Sequence, residues 1–204
     1  MCFSFNASLI TFIIGTIGTI YNLYEFKDNT LYTYINIYWY LPILMQLWEA
    51  IIWKGYKCKL FSKIAMTTNL LQPIITSLLL TLSNRDKLTN YDIPIVLTVL
   101  IIYCGYVGRF FFREYGCIKE RDGINYKWWN NNYGGLIYDL TMVILLLLLL
   151  KDRKILAFQL GFCIITLALS AVFYKRKSGG SIWCFLAAFA PIYNYIIFKF
   201  VSSE

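Results

Sequence analysis

An all-α fold, a polytopic bundle of seven transmembrane helices forming one domain over residues 1–204, is predicted by three observations on this chain. Hydrophobic residues make up 59% of it and its mean hydropathy is positive, a composition that is hard to hide in a soluble core of 204 residues. Seven apolar runs, at 5–24, 38–54, 61–82, 92–112, 134–150, 155–174 and 182–200, each approach the ~20 residues that span ~30 Å of hydrocarbon. Basic residues, finally, collect on alternate connections.

The run 5–24 lacks a basic n-region and a small-residue cleavage site, so a retained helix is expected there rather than a signal peptide. Gly15 and Gly18, with Thr11 and Thr19, make it smooth enough for close helix contact. In span 2, Pro42, Gln46, Glu49 and Trp53 recur at i, i+4, i+7 and i+11 and form one stripe. Span 3 carries a similar stripe of Asn69, Gln72 and Thr76, with Pro73 inside it, and span 4 ends near Arg109. The longest connection, 113–133, is charged and aromatic rather than core-forming, and Trp128-Trp129 reads as an interfacial anchor. Span 5 holds Asp139 and a leucine run, 145–150, expected to face lipid. Gly179-Gly180 reads as a turn before span 7, which contains Pro191 and Asn194. Pro73 and Pro191 lie at comparable depths, which suggests spans 1–3 and 5–7 arranged around a linker span 4, as in small transporters built from parallel repeats.

Seven crossings put the N-terminus and the 2–3, 4–5 and 6–7 connections on one side, face A. That side carries Lys54, Lys57, Lys59, Lys63, Arg109, Arg113, Lys119, Arg121, Lys127, Lys175, Arg176 and Lys177. The other, face B, carries Lys27, Arg85, Lys87, Lys151, Arg153, Lys154 and Lys199, partly offset by Glu25, Asp28, Asp86, Asp92 and Asp152. The excess of basic residues predicts a cytosolic face A and an N-terminus in the cytosol. The +8 balance then marks topology and anionic headgroups of the bilayer as partners, with no nucleic acid implied.

Three ionisable residues remain inside the runs: Glu49, Asp139 and Arg109. Glu49 falls about 6–8 Å from the face A end of span 2 at ~1.5 Å per residue, and Asp139 and Arg109 fall at similar depths. Charges in hydrocarbon cost several kcal/mol unless paired or hydrated, so a cluster is expected in which Arg109 answers Glu49, Asp139 or both. Gln46, Asn69 and Gln72 extend it inward, and Asn194 and Asn22 continue the polar seam toward face B. Such a seam is either interhelical hydrogen bonding or a hydrated path for a small polar or ionic solute.

Of the six cysteines, Cys104 and Cys163 fall mid-span, where thiols act as small apolar groups, while Cys2, Cys58, Cys117 and Cys184 belong to face A. A cytosolic face A keeps them reduced, and without histidine or a Cys-x-x-Cys pair no metal and no cofactor is expected. The absence of histidine also argues against zinc-dependent and serine-type membrane hydrolases, so no enzyme is expected.

The opening Met1-Cys2-Phe3-Ser4 with Ala7-Ser8, the segment Leu41-Pro42 to Gln46, Glu49 and Trp53, and Trp183-Cys184-Phe185 with Ala187-Ala188 resemble a family of uncharacterised multi-pass membrane proteins. Its members begin Met-Cys-Phe-Ser and occur in bacteria, algae and large DNA viruses. The resemblance covers the two ends and span 2, and Leu47 stands where a second polar residue is often found. It implies a seven-span fold without an activity, and a host cell membrane if the source is viral, which an Ile-, Asn-, Lys- and Tyr-rich composition suits. The sequence expectation is a small-solute or ion transporter or channel with a polar vestibule on face A. A structural or membrane-remodelling protein and a seven-helix ligand-sensing receptor are the alternatives.

Overall fold

The computed structural model describes residues 4–112, 117–120, 123–126, 134–173 and 179–203; Cys2, Phe3, Trp128 and Trp129 lie outside them. Among the described residues there are eight helices and one short hairpin: α1 (Phe5–Glu25), α2 (Thr30–Trp53), α3 (Cys58–Ser83), α4 (Asp92–Gly108), β1 (Cys117–Glu120), β2 (Gly123–Tyr126), α5 (Gly134–Leu149), α6 (Arg153–Phe173), α7 (Gly179–Ala187) and α8 (Ala190–Ser202). A 3₁₀ turn, Arg109–Phe112, prolongs α4. Four segments are long and apolar enough to cross a membrane: Phe5–Glu25, Cys58–Ser83, Asp92–Phe112 and Arg153–Ser170.

Local chemistry sets the ends. The Ser4 hydroxyl accepts from the Ala7 amide and starts α1, and the Asn29 side chain does the same for α2 through the Tyr32 amide. α2 begins eight residues before the predicted 38, because that cap and a Tyr-rich first half, invisible to a hydropathy scan, extend the helix. The reversal into α3 turns on Gly55 at φ 94°, a conformation that side chains resist, followed by Lys57 at φ 23°. Pro42 and Pro73 sit inside continuous helices.

Span 7 is not one helix. α7 stops at Ala187 and α8 begins at Ala190, with Pro191 in its first turn, where a missing N–H costs nothing. Pro73 and Pro191 therefore play different parts, and the pairing that suggested parallel halves is lost. Gly15 and Gly18 bring α1 against this break. A Cβ on Gly15 would stand 2.9 Å from the Ala188 carbonyl oxygen and 2.9 Å from the Ile43 side chain, and one on Gly18 would stand 3.0 Å from Pro191.

On α1, α3 and α6 polar residues turn inward while large aliphatic ones turn outward. The buried residues of α1 are Ser8, Thr11, Gly15, Thr19 and Asn22, whereas Ile10, Ile13, Ile17 and Ile20 point outward. α3 buries Asn69, Gln72, Thr76 and Ser77 and exposes Leu71, Leu78 and Leu82; α6 buries Gln159, Thr166 and Ser170 and exposes Ile164 and Ile165. That pattern suits a hydrocarbon surrounding, where polar groups must find partners inside the bundle.

Four further expectations are corrected. Leu145, Leu146, Leu149 and Leu150 are buried in the core rather than facing lipid, because α5 packs between α3 and α4, and within the run Leu147 is the strongly exposed one. Cys104 is exposed on α4 rather than buried. The 113–133 connection contributes to the core through Ile124, which is 1% exposed where β2 meets α7. Cys58 and Cys117, expected as thiols, form a disulfide that ties the start of α3 to β1.

Ion pairs link helix ends at the other face. Lys199 near the end of α8 pairs with Glu25 at the end of α1, and Lys151 after α5 meets Asp92 at the start of α4 at 2.9 Å.

Candidate functional site

Two polar regions lie within the bundle. The first begins at Asn22 on α1, whose amide donates to Asn36 Oδ1 on α2 at 2.9 Å and to the Pro191 carbonyl at 2.7 Å. Asn194 Nδ2 on α8 reaches the same Asn36 oxygen at 3.4 Å. Gln159 Nε2 on α6 donates to Asn194 Oδ1 at 2.9 Å, and Trp39 Nε1 on α2 closes the chain on Gln159 Oε1 at 2.7 Å. Every member is at most 2% exposed. This seam ties α1, α2, α6 and α8 together across the α7–α8 break.

The second region lies further along α2 toward its C-terminal end. Gln46 and Glu49 are both completely buried, and Gln46 Nε2 donates to Glu49 Oε2 at 3.4 Å, one helical turn apart. On α3, which packs against α2, Gln72 is also completely buried and Asn69 is 6% exposed. The Tyr138 hydroxyl on α5 donates to Gln72 Oε1, while Gln72 Nε2 finds no hydrogen-bond partner among the described residues. Trp183 on α7 packs edge-on against Tyr138 and tilted against Trp39, and its indole N–H is likewise unmatched among them. Cys184, 3% exposed, lies within electrostatic range of Glu49. The second region thus combines a carboxylate, three amides, a phenol and an indole from α2, α3, α5 and α7, with two donors unspent.

The stripes Pro42, Gln46, Glu49 and Asn69, Gln72, Thr76 both face inward, and Trp53 is half-buried at the last position of α2. The expected three-charge layer does not form. Arg109 is exposed and stacks its guanidinium over the Tyr106 ring of its own helix at 3.7 Å; among the described residues no ion pair joins it to either acid. The 3₁₀ turn that begins at Arg109 swings the side chain out of the bundle. Asp139 lines a small cavity of about 20 Å³, room for about one water, together with Tyr38, Met142 and Cys163. Tyr138 and Trp183 of the second region line this cavity as well. Ser4 serves as a helix cap, and Trp183 and Cys184 are buried within the bundle.

Asn36, Trp39 and Gln159 escaped the sequence reading. Asn36 fell before the span boundary drawn at 38, and Gln159 is a lone amide in an apolar run. An amide near the centre of a span is the signal that marks both, since hydrocarbon gives it no partner but another helix. Among the described residues no group of three or more His, Cys, Asp or Glu is placed to hold a metal ion. The chain matches no family model, no curated protein and no solved structure.

Proposed function

We propose that the chain crosses the membrane seven times and that Gln46, Glu49 and Gln72, with Asn69 beside them, hold a small cation or polar solute, as in a small-solute or ion transporter or channel. The observation that carries this reading is a buried cluster of polar side chains that includes the Glu49 carboxylate and in which Gln72 Nε2 and Trp183 Nε1 have no hydrogen-bond partner among the described residues. Fixing helix register needs no charge: the Asn22–Asn36–Asn194–Gln159 seam does so with neutral groups. Glu49 adds to that interior a carboxylate, an acceptor suited to a cation or a proton.

Two further features support it. The unspent donors of Gln72 and Trp183 offer hydrogen bonds to a polar guest. The interruption between α7 and α8 produces half-helices inside the bundle, the backbone arrangement on which many transporter sites are built.

Seven crossings are supported by which ends meet. The Glu25–Lys199 and Asp92–Lys151 pairs gather the α1, α4, α5 and α8 ends that alternation assigns to face B. The Cys58–Cys117 disulfide and the Lys54 ammonium over the Phe5 ring gather those assigned to face A. Basic residues orient face A toward the cytosol. In that orientation the two cysteines close only on oxidation, whereas in the reversed one the disulfide is permanent.

A structural or membrane-remodelling role is the second reading, favoured by the complete burial of Glu49. Purified protein in liposomes, loaded with a pH- or sodium-sensitive dye and exposed to proton and sodium gradients, separates the two. Flux that Glu49→Gln abolishes is the expected result. No flux with either ion, and no change in melting temperature with sodium, potassium or a small ammonium salt, would leave the structural role.

A further inference from the structure

We infer that the groove between α2 and α3 is a binding site for one acyl chain of an anionic glycerophospholipid from the face A leaflet, its headgroup held by Lys63 and Lys59. The groove has a volume of about 340 Å³ and is lined by Leu41, Leu44, Ile64, Leu71 and Ile75, with Lys63 at one end. From Lys63 to Ile75 it follows α3 for about 18 Å, at ~1.5 Å per residue, close to the ~15 Å depth of one hydrocarbon leaflet.

The wall contains two threonines, yet their hydroxyls are turned to protein partners. Thr67 Oγ1 donates to the Lys63 carbonyl at 3.1 Å, and Thr68 Oγ1 accepts from the Trp48 indole at 3.1 Å, with Trp48 stacked on Phe61 behind it. What remains toward the groove is hydrocarbon, matched to a fatty chain rather than to a polar solute.

Charge selects the headgroup. Residues 54–63 contain Lys54, Lys57, Lys59 and Lys63 and no acid. Lys59 and Lys63 are four residues apart, so both lie on one face of α3 and both are exposed. A lysine near the bilayer surface favours an anionic headgroup by about fivefold. The site uses the membrane placement proposed above but not the solute site, so absence of ion flux leaves it standing.

The test uses full-length protein in mild detergent, titrated with phosphatidylglycerol or phosphatidylcholine of identical chains and read by native mass spectrometry and melting temperature. Retention of phosphatidylglycerol at least tenfold above phosphatidylcholine is expected. The Lys59→Gln, Lys63→Gln double variant should bring that ratio to about two or below, with Lys87→Gln on face B leaving it unchanged. Leu71→Trp, which fills the groove, should lower retention of both lipids about fivefold; Thr67→Phe repeats this test if the first variant does not fold. Equal retention of the two lipids by the unsubstituted protein overturns the assignment. So does undiminished retention by the groove-filling variant, or displacement of the lipid by millimolar glycerol phosphate, which would show a headgroup site without a chain.

Discussion

The amide seam around Asn36 and the cluster around Glu49 sit on the same helix, are equally buried, and differ in how completely their hydrogen-bonding capacity is used. In the seam each side-chain amide meets another amide, an indole or the carbonyl of Pro191. In the cluster a carboxylate is present, and Gln72 and Trp183 each keep a donor unspent among the described residues. A satisfied buried network specifies a structure, whereas an incompletely satisfied one carries a cost that a ligand can remove. The difference is the ground on which we propose architecture for the first region and solute binding for the second.

The largest effect expected is functional. Glu49→Gln keeps the shape of the side chain and its hydrogen bond to Gln46 while removing the charge. Ion flux in liposomes should fall at least a hundredfold per folded molecule. Gln72→Leu should lower flux as well and cost about 1 kcal/mol or less, since it removes an unmatched donor along with one hydrogen bond.

Asn36→Leu reverses the pattern. It leaves Asn194 and Asn22 short of an acceptor and should cost about 2 kcal/mol in reversible unfolding from detergent, with flux retained per folded molecule. Alanine at Asn22 and Asn194 together should be less damaging than the sum of the two single changes, because both act through the Asn36 oxygen. Equal loss of flux from Asn36→Leu and Glu49→Gln would erase the distinction between the regions.

Gly15→Ala tests the scaffold that both share. Its added methyl would press on the Ala188 carbonyl and Ile43, and a cost of about 1–3 kcal/mol is expected from overpacking at the α7–α8 break. The smallest effect belongs to Lys151→Ala. That lysine pairs with Asp92 near the surface, and its loss should change stability by less than about 1 kcal/mol.

Much of the scaffold was legible because hydrocarbon imposes a simple rule on composition. The apolar runs located every long helix, and the Gly15, Gly18 pair announced a close approach. Helix ends were harder: the Asn29 cap and the Tyr-rich start of α2 carry no hydropathy signal. The break in span 7 was also hidden, since Pro191 alone does not distinguish a kink, as expected from Pro73, from the first turn of a new helix. The stripes on α2 and α3 could be read from 3.6-residue spacing, which fixes a face within one helix. Which faces meet depends on packing between helices. That is why Arg109 was placed with Glu49 although its 3₁₀ turn sends it outward.

Cys184 offers the most direct test, because it is a native buried thiol within electrostatic range of Glu49. With Cys2, Cys58, Cys104, Cys117 and Cys163 replaced by serine, it is the one thiol left, and its reaction with a charged, membrane-impermeant methanethiosulfonate can be followed by mass in sealed membranes. Modification from face A, slowed by sodium or protons acting at Glu49, is the result predicted for a solute site that opens to water. A thiol that stays unreacted from both faces, yet reacts fully once the protein is unfolded, would contradict that account and leave a dry structural cluster.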